Sequence, residues 1–139
     1  MLLALQADAQ LAIGKPEAAL ASSATGLKAV EKTGGAPLEA ELHRLRGEAL
    51  LADAGTVSEA ETAMQQGIDA SRRQNAKSWE LRGAISLARL RRQQGRPQEA
   101  AALLAPIYAW FTEGFDTADL KEAKTLLDKL TQPAIAAEG

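Results

Sequence analysis

The chain has no cysteine among its 139 residues, which removes disulfides and thiolate metal ligands. A reducing compartment suits such a chain, and the cytoplasm is the expected location. His43 is the only histidine, so no His-rich cluster can hold a transition metal. A phosphate loop needs a Gly-rich turn closing on Gly-Lys-Ser or Gly-Lys-Thr, and Gly14-Lys15-Pro16 lacks that frame. No apolar run approaches the roughly 20 residues of a membrane span, and the start Met1-Leu-Leu-Ala-Leu-Gln6 has no basic region of a signal peptide. Aromatic residues make up only 4%, which disfavours strands. A formal charge of −2 gives no global pull toward nucleic acid or anionic lipid. The expectation is a chain with no catalytic residue, no cofactor and no metal, and with no membrane partner.

What remains is the vocabulary of helices, rich in Ala, Leu, Glu, Gln, Lys and Arg, and it repeats. Gly14-Lys-Pro-Glu-Ala-Ala19, Gly55-Thr-Val-Ser-Glu-Ala60 and Gly95-Arg-Pro-Gln-Glu-Ala100 align, with the glycines 41 and 40 residues apart. Each reads as a tight turn between two helices: glycine ends the first in a left-handed conformation, and Pro16 or Pro97 starts the second where its missing N–H costs nothing. Thr56 and Glu59 supply a capping box in the middle copy. The second helices carry one stripe at helical spacing: Ala100, Leu103, Leu104, Ile107, Tyr108 and Phe111; then Ala60, Ala63, Met64, Gly67, Ile68 and Ser71; then Ala19, Ser22, Ser23, Gly26, Leu27 and Val30.

The first helices run from Leu2 to Ile13, Leu38 to Ala54 and roughly Ala76 to Gln94, with core candidates Leu42, Leu45, Ala49 and Leu50, then Leu81, Ala84, Ile85 and Ala88. The predicted architecture is an all-α solenoid of three helix-turn-helix units, about 1–33, 38–74 and 76–112. A capping helix follows over 117–130, which begins at Asp116 or Thr117 and buries Leu120, Ala123, Leu127 and Leu130. Residues 1–131 then form one domain and 132–139 a flexible tail. Breakers separate the units at Thr33-Gly-Gly-Ala-Pro37 and Gln74-Asn75. Pro106 inside a helix predicts a kink.

Charge is distributed unevenly. From Arg72 to Arg96 eight cations face only Glu80, and Arg82, Arg89 and Arg92 fall on one helical face. Neutralisation by acidic neighbours is the plain reading of this segment; a binding patch for an acidic partner or a phosphate backbone is the sharper one. Glu39, Glu41 and Glu48 flank Arg44 and Arg46 at spacings that make exposed ion pairs on a solvated face. His43 sits beside the apolar stripe of its helix and reads as a hydrogen-bonded structural residue. Trp79, Trp110 and the Phe111–Phe115 turn are expected to seal the third unit against the capping helix.

Several segments resemble a known arrangement. Leu87-Ala88, Gly95, Ala100 and Leu104 are similar to the tetratricopeptide pattern, without its hallmark Trp and Tyr. Ala40-Glu-Leu-His-Arg-Leu-Arg-Gly-Glu48, Ala76-Lys-Ser-Trp-Glu-Leu-Arg82, Ser86-Leu-Ala-Arg-Leu90 and the stretch Leu104 to Lys124 resemble the C-terminal tetratricopeptide-like region of bacterial signalling proteins that join a class III adenylate or guanylate cyclase to an AAA- or STAND-type ATPase. The resemblance spans about residues 5–130 and implies the end of such an architecture or a stand-alone relative. No cyclase metal carboxylate or ATPase phosphate element is present, so neither activity carries over. The expected function is a non-catalytic protein-interaction or scaffolding module, with His43, Arg44, Arg82, Arg89 and Arg92 as its contact surface for a protein or peptide. Leu2, Leu3 and Leu5 form an apolar edge able to pair with another copy. The alternatives are a nucleic-acid-associated regulatory domain using Arg72–Arg96 and a small-molecule sensor with a pocket between helix pairs.

Overall fold

The computed structural model describes residues 2–33, 38–53 and 56–131, with the side chains of Leu2, Leu3 and Thr33 left out. Helices α1 (Leu2–Ala12), α2 (Pro16–Thr33), α3 (Leu38–Ala52), α4 (Val57–Arg73), α5 (Lys77–Gln93), α6 (Pro97–Trp110) and α7 (Ala118–Leu130) account for nearly all of them, and no strand occurs among the described residues. No helix among them is long and apolar enough to cross a membrane.

The helix ends follow from local chemistry. Pro16 and Pro97 open α2 and α6, where the ring presets φ and no intrahelical N–H is lost. Thr56 caps α4 from an extended backbone, its hydroxyl accepting the Glu59 N–H at 3.3 Å. Thr117 does the same for α7, accepting from Leu120 N–H at 3.4 Å. Thr117→Ala is therefore expected to cost about 0.5–1 kcal/mol, read as a lower urea midpoint at unchanged slope.

Three helices end in one backbone scheme. Gly14 donates to Leu11 O and Lys15 to Gln10 O; Gly95 donates to Arg92 O and Arg96 to Arg91 O; Asn75 donates to Arg72 O and Ala76 to Ser71 O. The residue at the bend has positive φ each time, 77° and 76° at the glycines and 53° at Asn75. This is the Schellman closure, and Asn is the side-chain-bearing residue that best tolerates it. The predicted turn at Gly55 and the breaker residues 34–37 lie outside the described residues.

The chain divides into two compact units, Met1–Gly83 and Ala84–Gly139, with the boundary inside α5. In the first, α1 packs on α2 and α3, α2 on α3, and α3 on α4. Ala4, Ala7, Ala19, Val30, Leu42, Leu45 and Ala49 form its core, flanked by Leu11, Leu20, Leu27 and Leu38. Leu50, Ala60 and Ala63 form a smaller cluster. All six stripe positions of α4 are buried, and of the α2 stripe only Leu27 is half-exposed. The Ser22 hydroxyl, buried in that stripe, donates to Gln10 Oε1 at 2.8 Å, and Ser23 donates to Ala19 O. Small residues set the helix spacing: a Cβ added at Gly67 would lie 2.8 Å from Ala40 O, and one at Gly47 would lie 2.7 Å from Met64 Cγ.

In the second unit α6 packs on α7. Leu87, Ala88, Leu90, Ala100, Leu104, Ile107, Leu120, Ala123, Leu126 and Leu130 are buried. The α7 stripe thus differs from expectation at one place: Leu126 is buried and Leu127 half-exposed. Leu126 lies three residues after Ala123 and four before Leu130, a spacing that keeps Leu120, Ala123, Leu126 and Leu130 on one helical face. Helix α6 continues through Pro106 to Trp110.

Candidate partner-binding surfaces

The Arg44 and Arg82 side chains, expected to face a partner, converge instead on one carboxylate of their own chain. Glu41 on α3 is 7% exposed. Arg44, one turn on, grips it in a two-pronged pair, Nε to Oε1 at 2.7 Å and an η-nitrogen to Oε2 at 2.9 Å. Arg82 Nη1 donates to the same Oε2 at 2.9 Å, and its guanidinium lies 5.6 Å from the Trp79 ring centre. Burial works to lower the Arg44 pKa, but the hydrogen bonds and charge of Glu41, helped by Glu48 and Asp8, raise it above the ordinary arginine value. The solvated ion-pair face expected around Glu41 is therefore a largely buried network. Sequence spacing revealed the Glu41–Arg44 pair but not Arg82, which arrives from 41 residues away.

His43 is half-buried beside this network. Its Nε2 lies 3.7 Å from Glu39 Oε2, an ion-pair contact beyond hydrogen-bond distance, and its buried Nδ1 finds no hydrogen-bond partner among the described residues, so the described residues show no short hydrogen bond for the expected structural role. Desolvation lowers its pKa; Glu39 works the other way by its charge, while Arg46 and Arg73 add to the lowering. Between the depressed folded value and the ordinary value near 6.5, the unfolded chain binds a proton that the folded chain refuses. Stability from this group is complete above pH 6.5 and is lost as pH falls through the folded pKa. His43→Gln should flatten that part of the stability–pH curve, measured by urea unfolding across the acid limb.

The basic segment is mostly neutralised from within. Arg72 and Lys77 both pair with Glu80 at 3.0 and 3.3 Å, and Arg73 pairs with Glu39 at 3.0 Å. In the second unit Arg96 chelates Glu99 at 2.6 and 2.7 Å, with Arg91 at 3.7 Å, and Arg89 pairs with Glu122. Hydrogen bonds from Arg96 hold the Glu99 carboxyl below the usual carboxylate range. Arg92 alone of the segment makes no ion pair among the described residues. The five candidates fall in both units: His43, Arg44 and Arg82 belong to the first, while Arg89 and Arg92 belong to the second.

The aromatic residues also depart from expectation. Tyr108 and Phe115 meet with ring centres 5.8 Å apart, and Trp110 meets Phe111 edge-on at 5.2 Å, yet Trp110 is 57% and Phe115 44% exposed. They form an apolar edge over the last turn of α6 and the residues that follow it rather than a sealed junction. At the other end of the chain Leu5 is 60% exposed, and the side chains of Leu2 and Leu3 lie outside the described residues. No group of three or more His, Asp or Glu that could hold a metal occurs among the described residues.

Compared with protein-family models, curated proteins and solved structures, the chain matches none.

Proposed function

We propose that this chain is a non-catalytic protein-interaction module, a tetratricopeptide-like stack of helical hairpins that holds the surface of another protein. The forty-residue spacing of the turn sequences and the buried stripes of α2 and α4 support the repeat reading. The observation that carries the functional reading is the exposed aromatic edge. The chain has only two Trp, one Tyr and two Phe, and four of these sit within residues 108–115 with Trp110 and Phe115 turned outward. Large aromatics left in water are costly in a monomer and are the side chains that anchor protein interfaces.

On the sequence resemblance alone, the proposal extends to a module that is the repeat region of a bacterial cyclase and ATPase signalling protein, reporting partner binding to catalytic domains. In-frame coding sequence for such a domain upstream would support this placement. A nucleic-acid role for Arg72–Arg96 is disfavoured by the pairing of its arginines with Glu39, Glu41, Glu80, Glu99 and Glu122.

The test is affinity capture with the wild type and a Trp110→Ala/Phe115→Ser variant, followed by titration of the purified captured protein against both. The variant should bind at least about tenfold more weakly while keeping its unfolding midpoint. Equal binding by the two would overturn the assignment.

A further inference from the structure

A second feature of the second unit shares no residue with the aromatic edge. The last turns of α5 and one face of α7 enclose a cleft of about 480 Å³ lined by Arg89, Arg92 and Gln93 on one side and Lys121, Glu122, Thr125, Leu126 and Lys129 on the other. Four cations line it against one carboxylate, on a chain whose total charge is −2. Glu122 satisfies Arg89. Arg92, Lys121 and Lys129 make no ion pair among the described residues, although elsewhere in the basic segment arginines are matched by acids. Holding three unmatched cations around one concavity raises its potential, and a ligand of opposite charge relieves that repulsion.

We infer that this cleft binds an acidic peptide segment, one presenting two or more carboxylates around an apolar side chain. The size falls within the range of ligand clefts and exceeds what a lone inorganic anion fills. Leu126, nearly buried, gives the floor an apolar spot, and Gln93 offers an amide able to donate to a peptide carbonyl. The pairing of Glu122 with Arg89 leaves Arg92, Lys121 and Lys129 as the cations for an incoming carboxylate. It also marks the limit: a fixed negative charge inside the cleft opposes polyphosphate more strongly than a peptide with spaced carboxylates, and a nucleic-acid backbone needs an extended cationic track that the neutralised remainder of the segment does not provide.

The experiment is fluorescence anisotropy with a labelled, acetylated Asp-Glu-Leu-Glu-Asp peptide, its Asn/Gln counterpart, and a labelled single-stranded oligonucleotide. The acidic peptide should bind saturably, weaken as salt rises, and outbind both other probes. An Arg92→Glu/Lys129→Glu variant should lose on the order of tenfold or more in affinity. Glu122→Gln, which frees Arg89 and removes the internal acid, should tighten binding by about threefold. Lys124→Glu, on an exposed residue paired with Asp128 outside the cleft, should leave affinity unchanged. Unfolding midpoints establish that each variant is folded. No binding of the acidic peptide, equal binding by the double charge-reversal variant, weakened binding by Glu122→Gln, or stronger binding of the oligonucleotide would each overturn the inference. Loss of partner capture through Trp110 bears only on the aromatic edge, so the two readings fail separately.

Discussion

Glu41→Ala is expected to be the most damaging single polar substitution in the first unit, at about 3 kcal/mol. The reason is what it leaves behind. Arg44, whose side chain is 14% exposed, would keep its charge but lose both bonds to the carboxylate that grips it, retaining the fields of Glu48 and Asp8, and Arg82 would lose its bond to the same oxygen. A charge that cannot shed its proton must either stay desolvated or drag its helix open. The Arg82 contribution is the smaller, because that side chain is 40% exposed and water replaces the carboxylate. Urea unfolding should show the loss as a shifted midpoint, and a Glu41→Leu/Arg44→Leu double variant should recover most of it, since apolar replacement removes the orphaned charge as well as the pair. A loss below about 1 kcal/mol in the single variant would mean that water already reaches Arg44.

Gly67→Val should cost about 3 kcal/mol or more, although Val is the better helix former by propensity alone. The obstacle is backbone: a Cβ at this position meets Ala40 O at 2.8 Å, with His43 Cβ at 3.3 Å and Arg44 N at 3.4 Å, so α3 and α4 would have to part. Gly83 is the informative contrast. A Cβ there meets Ile68 Cγ1 at 3.1 Å, a side chain that can change its rotamer, and Gly83→Ala should be close to neutral. Comparable losses at the two sites in thermal unfolding would show that the spacing of α3 and α4 is not set by Gly67.

Much of the local structure was legible because it depends on residues close together. Pro16, Pro97, Gly14, Gly95, Thr56 and Thr117 each act within a few residues, and the helices start and stop where those side chains direct. Stripes at helical spacing identified the buried faces of α2 and α4 for the same reason. The surroundings of the candidate contact residues were far less legible. That Arg82 returns to Glu41, and Arg73 to Glu39, depends on where helices 34 to 41 residues apart lie in space, which spacing along one helix does not encode. The same holds for the α5–α7 cleft, where Lys121 and Lys129 share a lining with Arg92 from about 30 residues or more away. Trp110 and Phe115 were misplaced because aromatic character predicts burial on average, and an exposed pair departs from that average.

The recurrence of one hydrogen-bond scheme at residues 14, 75 and 95 has an architectural meaning. Gly14 and Gly95 lie inside the sequence repeats, whereas Asn75 lies between two of them, yet the main chain leaves the helix identically at all three. A five-residue graft of Gln93–Pro97 into positions 73–77 is therefore expected to preserve the bend while exchanging Asn for Gly, with an unchanged helical circular-dichroism signal as the check. Between the second and third copies, periodicity is thus written in side chains laid over a backbone that turns at the border as it turns within a copy.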